Sequence, residues 1–298
     1  MSRAIIGVSL LFLACAALAQ PAPEDAVRIE PVAGNVHVLY GQGGNIGVSA
    51  GEDGVVLIDD QFAPATPQIL EALAKLHPEP PRFVVNTHWH GDHTGGNENL
   101  AGKGSVIVAH DRVRERMSTE QFNEFFQRKT PPSAADALPV VTFSDNLSLH
   151  FNGDEMRAIH VANAHTDGDV FIHFRKANVI HTGDLVFSGL YPFVDLDSGG
   201  SMAGVIVGVD RMLELADDNT QIIPGHGKVT DRAGLASYRK LLADTSARMR
   251  ELVQAGRTVE DLVAAAPFAE SDATHAWSFI TAERYVRMLY RDAERSLK

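Results

Sequence analysis

The residues best suited to chemistry lie together in His88-Trp89-His90-Gly91-Asp92-His93, three histidines and an aspartate within six positions. An apolar run, Phe83-Val84-Val85, precedes them and Thr94-Gly95-Gly96-Asn97 follows, which predicts a buried strand ending in a glycine-rich turn. Histidines two residues apart share one face of extended chain. Gly91 lets the backbone fold back, so that Asp92 and His93 can aim at a second centre nearby. Imidazole and carboxylate are ligands of catalytic zinc, which keeps an open position for water, whereas thiolate-rich structural sites are closed. A polar turn with chance histidines is the plainer account of one or two His in a loop. It is a poor account of H-x-H-x-D-H.

The hexapeptide resembles the metal-binding signature of the metallo-β-lactamase superfamily. That family needs further ligands at distant positions, and candidates occur in the required order: Ala164-His165-Thr166-Asp167-Gly168, Thr182-Gly183-Asp184 and Pro224-Gly225-His226-Gly227. The strand Val55-Val56-Leu57-Ile58-Asp59 precedes the signature, as the family pattern requires, and the resemblance runs from about residue 27 to about residue 230. It implies an α+β fold, a four-layer αβ/βα sandwich, holding two zinc ions. His88, His90 and His165 correspond to the first zinc site, Asp92, His93 and His226 to the second, and Asp184 to a bridge between them. A bridging carboxylate can hold two cations roughly 3.5–4 Å apart despite their repulsion. Water held between them would lose a proton near neutral pH. The hydroxide would attack a metal-polarised carbonyl, with Asp92 or bound water handling the proton. No side-chain nucleophile is needed, and no Ser-His-Asp or Cys-His set is apparent.

Departures from particular branches narrow the resemblance. One large branch of zinc β-lactamases places Cys where this chain has Asp184 and a non-His residue where it has His93. Another shares the His93 feature but usually lacks the bridging acid. The present set is more typical of glyoxalase II, lactonases and other general hydrolases. His90 argues against the di-iron flavoprotein branch, and the basic residues and Tyr that a glyoxalase II carries near its C-terminus are not found.

The elements that must position these residues can be read from periodicity. Strands over 36–40 and 46–50 form a hairpin with the tip Gly41-Gln42-Gly43-Gly44-Asn45, which in this family often overhangs the metals as a flap but could equally be an ordinary surface hairpin. Apolar residues at helical spacing predict a helix over 66–76, stopped by Pro78, Pro80 and Pro81. A strand over 105–110, a charged helix from about residue 111 and a flexible connection over 129–139 complete the first half. The second half brings strands over 147–151, 155–161, 170–174 and 179–181, a helix over 201–216 and a strand over 220–224. Helical texture follows: one helix capped by Asp231 through about residue 252, a capping box at Thr258 and Asp261, and a helical stripe over 275–297 that reads as packing.

Of the other histidines, His110, His160, His173 and His181 lie on or beside expected strands, where structural roles are commoner. His181, three residues before Asp184, is a candidate to support a ligand from behind, as Asp59 is by resemblance. Phe187, Tyr191 and Phe193 either wall a pocket or fill the core.

Residues 1–19 have the form of a cleavable export signal: Arg3, an apolar run, then Ala17-Leu18-Ala19. The expected mature chain is one domain over 20–298, with a core over about 27–230 and a helical extension over 231–298. It would be periplasmic or secreted, with no stable membrane association. Cleavage would remove Cys15, the single cysteine, and with it any disulfide or thiolate ligand. A formal charge of −12 repels polyanions and disfavours nucleic-acid partners, tRNA-processing nucleases included. The reading is an exported zinc hydrolase of a small-molecule ester, thioester, lactone or amide. A β-lactamase is the second reading. A non-catalytic metal-binding protein comes third, because degenerate members usually lose ligands and this set is complete.

Overall fold

The computed structural model describes residues 27–298. The expected export signal and Cys15 lie outside the described residues. An antiparallel meander opens the fold: β1 (Arg28–Ala33), β2 (Val36–Tyr40), β3 (Ile46–Gly51) and β4 (Gly54–Ile58). Helix α1 (Thr66–Leu73) carries the chain to β5 (Phe83–Val85). Two short helices, α2 (Gly91–Thr94) and α3 (Asn97–Ala101), lead to β6 (Val106–His110) and α4 (Asp111–Met117). A small hairpin, β7 (Gln121–Asn123) with β8 (Arg128–Thr130), precedes β9 (Val141–Phe143). These form a seven-stranded sheet in the order β1-β2-β3-β4-β5-β6-β9, parallel from β4 onward.

The second sheet has six strands, in the order β10-β11-β12-β13-β15-β17. They are β10 (Asn146–Phe151), β11 (Asp154–His160), β12 (Val170–Phe174), β13 (Val179–His181), β15 (Gln221–Ile223) and β17 (Thr230–Asp231). Between β13 and β15 run β14 (Phe187–Ser188) and α5 (Met202–Leu215), and β16 (His226–Gly227) pairs parallel with β14. Four helices close the chain: α6 (Arg232–Gln254), α7 (Val259–Ala265), α8 (Ala269–His275) and α9 (Ala282–Ser296).

Strand β4 shows why the layers form. All five of its residues are buried. Val56 and Ile58 pack between the sheets, while Val55 and Leu57 pack under α1 with Ile69 and Leu73. A strand covered on both faces needs a continuous apolar run, and each fully buried Val, Leu or Ile contributes about 1.5–3 kcal/mol. Outside the second sheet, Ile180, Val205, Leu242 and Tyr285 share another core, joining β13, α5, α6 and α9. The result is helix, sheet, sheet, helix: the expected α+β four-layer sandwich. Among the described residues, no helix is long and apolar enough to cross a membrane.

Two local expectations are corrected, and a third, left open, gains detail. The 129–139 connection begins inside β8 and is anchored, since Ala137 O accepts from Asn97 Nδ2 (3.0 Å) and Val140 N donates to Ile107 O (2.9 Å). These long-range bonds leave no periodic trace. The β2–β3 tip, whose Gln42 stays exposed, is tied at its far end to the turn that carries His226. Its Asn45 is buried and donates through N to Gly225 O (2.7 Å) and through Nδ2 to Pro224 O (2.8 Å). The stripe over 275–297 is interrupted, because the Thr281 hydroxyl caps α9 by accepting from Arg284 N (3.2 Å). Trp277 falls in the break and donates from its indole Nε1 to Tyr191 O at 3.0 Å. Here a tertiary contact and a cap override the helical spacing.

Candidate metal centre

The register of the parallel strands brings the distant motifs to one edge. His181 on β13 pairs with Ile223 on β15, so Asp184 and His226 each lie three residues beyond adjacent strand ends. Ile58 on β4 pairs with Val85 on β5, which places Asp59 beside the start of the Asn86-Thr87-His88 turn. His90 then caps α2 in extended conformation, and His93 N donates to His90 O (3.0 Å), folding Asp92 and His93 back over the turn. Two glycines permit this crowding. A side chain at Gly44 would collide with the His93 ring, and one at Gly225 with the Asp184 carboxylate.

All seven candidate ligands converge, in two groups. His88, His90, His165 and Asp184 form one, and Asp92, His93 and His226 the other, with each group's ligand atoms within 4.8 Å of one another. His90 Nδ1 lies 3.1 Å from His88 Nε2 and 2.9 Å from His165 Nε2. Asp184 spans the groups: its Oδ1 is 3.1 Å from His93 Nε2, while Oδ2 is 3.6 Å from His165 Nε2 and 3.5 Å from His226 Nε2. Asp92 Oδ2 faces His226 Nε2 (3.3 Å) and His93 Nε2 (3.5 Å). The carboxylate expected to handle a proton is thus itself a member of the second group.

The outward ring nitrogens are held by a second layer of residues. Asp59 Oδ2 lies 2.8 Å from His93 Nδ1 and also accepts from Thr87 Oγ1 (2.7 Å), while its Oδ1 accepts from Thr87 N (2.7 Å). Phe193 O lies 2.8 Å from His165 Nδ1, and Thr87 Oγ1 lies 3.0 Å from His88 Nδ1. Such partners fix the ring orientation and raise ligand basicity. Asp195 does this for His90, with Oδ2 3.0 Å from His90 Nε2. Sequence reasoning missed it, because Asp195 is 105 residues away and lies in no motif. Its one local signal is an Asp followed by Ser198, whose N and hydroxyl both bond to its carboxylate.

The electrostatics ask for a cation. Burial works against charge on His93, yet Asp184, Asp92 and Asp59 outweigh it and raise its pKa well above the ordinary value. Burial likewise opposes charge on His226, but Asp184 and Asp92 lift it to about 9. Burial would raise Asp184, but His93 and His226 hold it well below the usual carboxylate range. At His88 and His165 burial wins and lowers the pKa, His165 to about 4, a neutral imidazole ready to donate its lone pair, whereas at His90 burial is outweighed by the Asp195 carboxylate, which raises it. His93 Nε2 and Asp184 Oδ1 are buried 3.1 Å apart, yet they are not aligned to hydrogen-bond with each other or with any other group. Orphaned donor atoms of ligand type, aimed at one gap, fit a bound metal.

The remaining expected residues separate cleanly. His181 does not touch the Asp184 carboxylate; its Nε2 lies 3.0 Å from Asn45 O, and its Nδ1 accepts from Gly183 N (3.3 Å). It therefore steadies the hairpin tip and the backbone of the Asp184 turn. His110 and His160 stack on each other at 3.8 Å, away from the cluster. Tyr191 stacks on Tyr285 in the core at 3.9 Å. Phe187 and Phe193 lie against cluster histidines, Phe187 stacked on His226 at 5.1 Å and Phe193 5.9 Å from His165.

A layered αβ/βα sandwich with a His/Asp cluster at its strand ends defines a metal-dependent hydrolase. The family model described as "Metallo-beta-lactamase superfamily" matches residues 39–241, and the chain belongs to that superfamily. One curated relative is the 2,4-dinitroanisole O-demethylase subunit alpha of Nocardioides sp., 24% identical over 242 residues, covering 80% of this chain and 69% of that one. Another is a metallo-beta-lactamase type 2 of Bacillus sp., 25% identical over 195 residues, covering 63% and 68%. Among solved structures, a metallo-beta-lactamase from Pontibacter korlensis has a TM-score of 0.61 at 18% identity, covering 73% of this chain and 99% of that one. That likeness concerns the fold alone.

Proposed function

We propose that this chain is an exported hydrolase with two zinc ions that cleaves a small ester, thioester, lactone or amide. The observation that carries the reading is one carboxylate, Asp184, spanning two groups of histidine-rich ligands. His88, His90 and His165 would hold one ion, Asp92, His93 and His226 the other, with Asp184 between them. Zinc there would supply Lewis acidity toward a carbonyl oxygen and a water acidified to a pKa of about 7. The protein's own part is placement. Asp195, Asp59 and Phe193 O fix the ligand rings, and Asp92, the most exposed cluster member at 28%, is placed to pass a proton to solvent.

β-Lactam hydrolysis is the second reading, favoured by the similarity to the Bacillus metallo-beta-lactamase. Asp184 and His93 distinguish the present site from the Cys-containing pattern noted above. The test is turnover by zinc-loaded protein of a chromogenic cephalosporin, a lactone, a thioester and a phosphodiester, before and after chelation. Chelator-sensitive hydrolysis of the lactone or thioester supports the leading reading, and turnover of the cephalosporin alone replaces it with the second. Hydrolysis that survives verified metal removal overturns both. Export is tested separately, by mass spectrometry of periplasmic protein for an N-terminus at Gln20.

A further inference from the structure

We propose that the cluster opens onto a subsite for a planar aromatic group of the substrate, an inference that rests on the hydrolase reading above and narrows it. Solvent reaches the cluster unevenly. The side chains of His90 and His226 are each 17% exposed and Asp92 28%, whereas those of His88, His93, His165 and Asp184 are at most 5% exposed. The opening therefore lies over His90, Asp92 and His226.

Aromatic rings border that opening at both ends. Phe193 lies 6.2 Å from His90, and on the other side Phe187 stacks on His226 while Trp277 lies 5.8 Å from it. Phe279 links the two ends, 5.8 Å from Phe193 and 5.5 Å from Trp277. Phe126, from the β7–β8 connection, lies 5.1 Å from Phe193 and stacks on Phe279 at the same distance. The arc grades outward from buried Phe187 and Phe193 to Phe279, which is 40% exposed.

An exposed Phe beside a ligand cluster gains little for folding, but it offers an apolar, quadrupolar surface to a substrate ring. The indole bond from Trp277 to Tyr191 O holds one ring of this surface in place before any ligand arrives. Such preorganisation reduces the ordering cost of binding. None of the five rings belongs to a metal motif: Phe126 comes from the small hairpin, Phe187 and Phe193 follow the Asp184 turn, and Trp277 and Phe279 come from the break before α9.

The experiment compares benzyl acetate with cyclohexylmethyl acetate on zinc-loaded full-length protein. The two esters have apolar groups of similar size and similar alcohol leaving groups, so they differ mainly in planarity and π character. A preference in kcat/KM for the benzyl ester of about fivefold is expected, the order that an aromatic contact supplies. Trp277→Ala and Phe279→Leu should bring the ratio close to one; Phe279→Leu keeps apolar bulk at a half-exposed position and so should leave folding intact. Saturation-transfer NMR gives a second readout that needs no turnover. Benzyl alcohol should receive stronger transfer than cyclohexylmethanol, with or without zinc, and lose that advantage in the variants. If neither ester is cleaved but benzyl alcohol binds and the variants abolish it, the subsite stands and the esterase reading falls. If both esters are cleaved equally and both alcohols respond equally in every variant, the subsite is overturned while the hydrolase reading survives.

Discussion

Asp184 is the residue through which the two candidate ligand groups meet: Oδ2 faces His165 of one group and His226 of the other, and Oδ1 faces His93. Asn would keep its shape and lose its charge. Asp184→Asn is therefore expected to weaken the second metal and lower turnover by more than about tenfold, the lower range for removing metal-site support. Elemental analysis showing two tightly held zincs with wild-type rates would refute the bridging role. His88, His90 and His165 should still retain one ion. Asp195 offers a finer test, since it touches His90 and stands behind it. Asp195→Asn should cost about 10–100-fold in metal affinity, measured by competition with a chelating dye. Equal affinity would make it only a cap for the Ser198 turn. Protonation gives a third expectation. In the metal-free protein the pKa of His226 is raised to about 9, so at neutral pH it carries a proton that a metal must displace. Zinc loading should release protons, in calorimetry across buffers of different ionisation enthalpy, and affinity should climb as pH rises toward 9. The stability that this His–carboxylate attraction gives the metal-free protein is fully present below 6.5 and is lost as pH rises through about 9.

Among the elements, the tip between β2 and β3 shows how tightly the metal turns are built in. Gln61 Nε2 donates to Gly44 O (2.9 Å), Gly44 N donates to Asp92 O (3.0 Å), and the missing side chain at Gly44 leaves room for the His93 ring. Gly44→Ala should push His93 off its partner Asp59, lowering both the melting temperature and the metal content of purified protein. A variant with wild-type zinc stoichiometry and melting temperature would show that the tip is free to move aside. The break before α9 has a comparable standing. Thr281 caps the helix, and the residues ahead of it are released to reach the mouth of the site.

For the whole molecule, the helices α5, α6 and α9 share one core with the second sheet, so the scaffold behind Asp184 and His226 depends on residues far from either. Leu242 on α6 is fully buried in that core. Leu242→Ala should reduce unfolding free energy by about 2–5 kcal/mol, through lost burial and the cavity left behind. Chemical denaturation of the zinc-free protein is the direct measurement. A change below about 1 kcal/mol, within the spread of surface substitutions, would mean that the helical layer is not coupled to the sheet.

The sequence by itself, through its resemblance to the superfamily, pointed to the seven candidate ligands, because H-x-H-x-D-H and the three later turns are short and local. It also determined the layers. Strands such as β4 announce themselves by a continuous apolar run and helices such as α1 by period, and Thr258 with Asp261 announces a cap that the structure contains. What it did not carry was the choice of partners across long separations. Asp195 is an ordinary acid until the chain brings it to His90, and Trp277 belongs to a helical stripe until Tyr191 O takes its indole proton. Periodicity records which face of an element is buried, and says nothing of which distant residue it will meet. That was decided only when β13 and β15 paired in parallel, setting Asp184 beside His226 and closing the cluster.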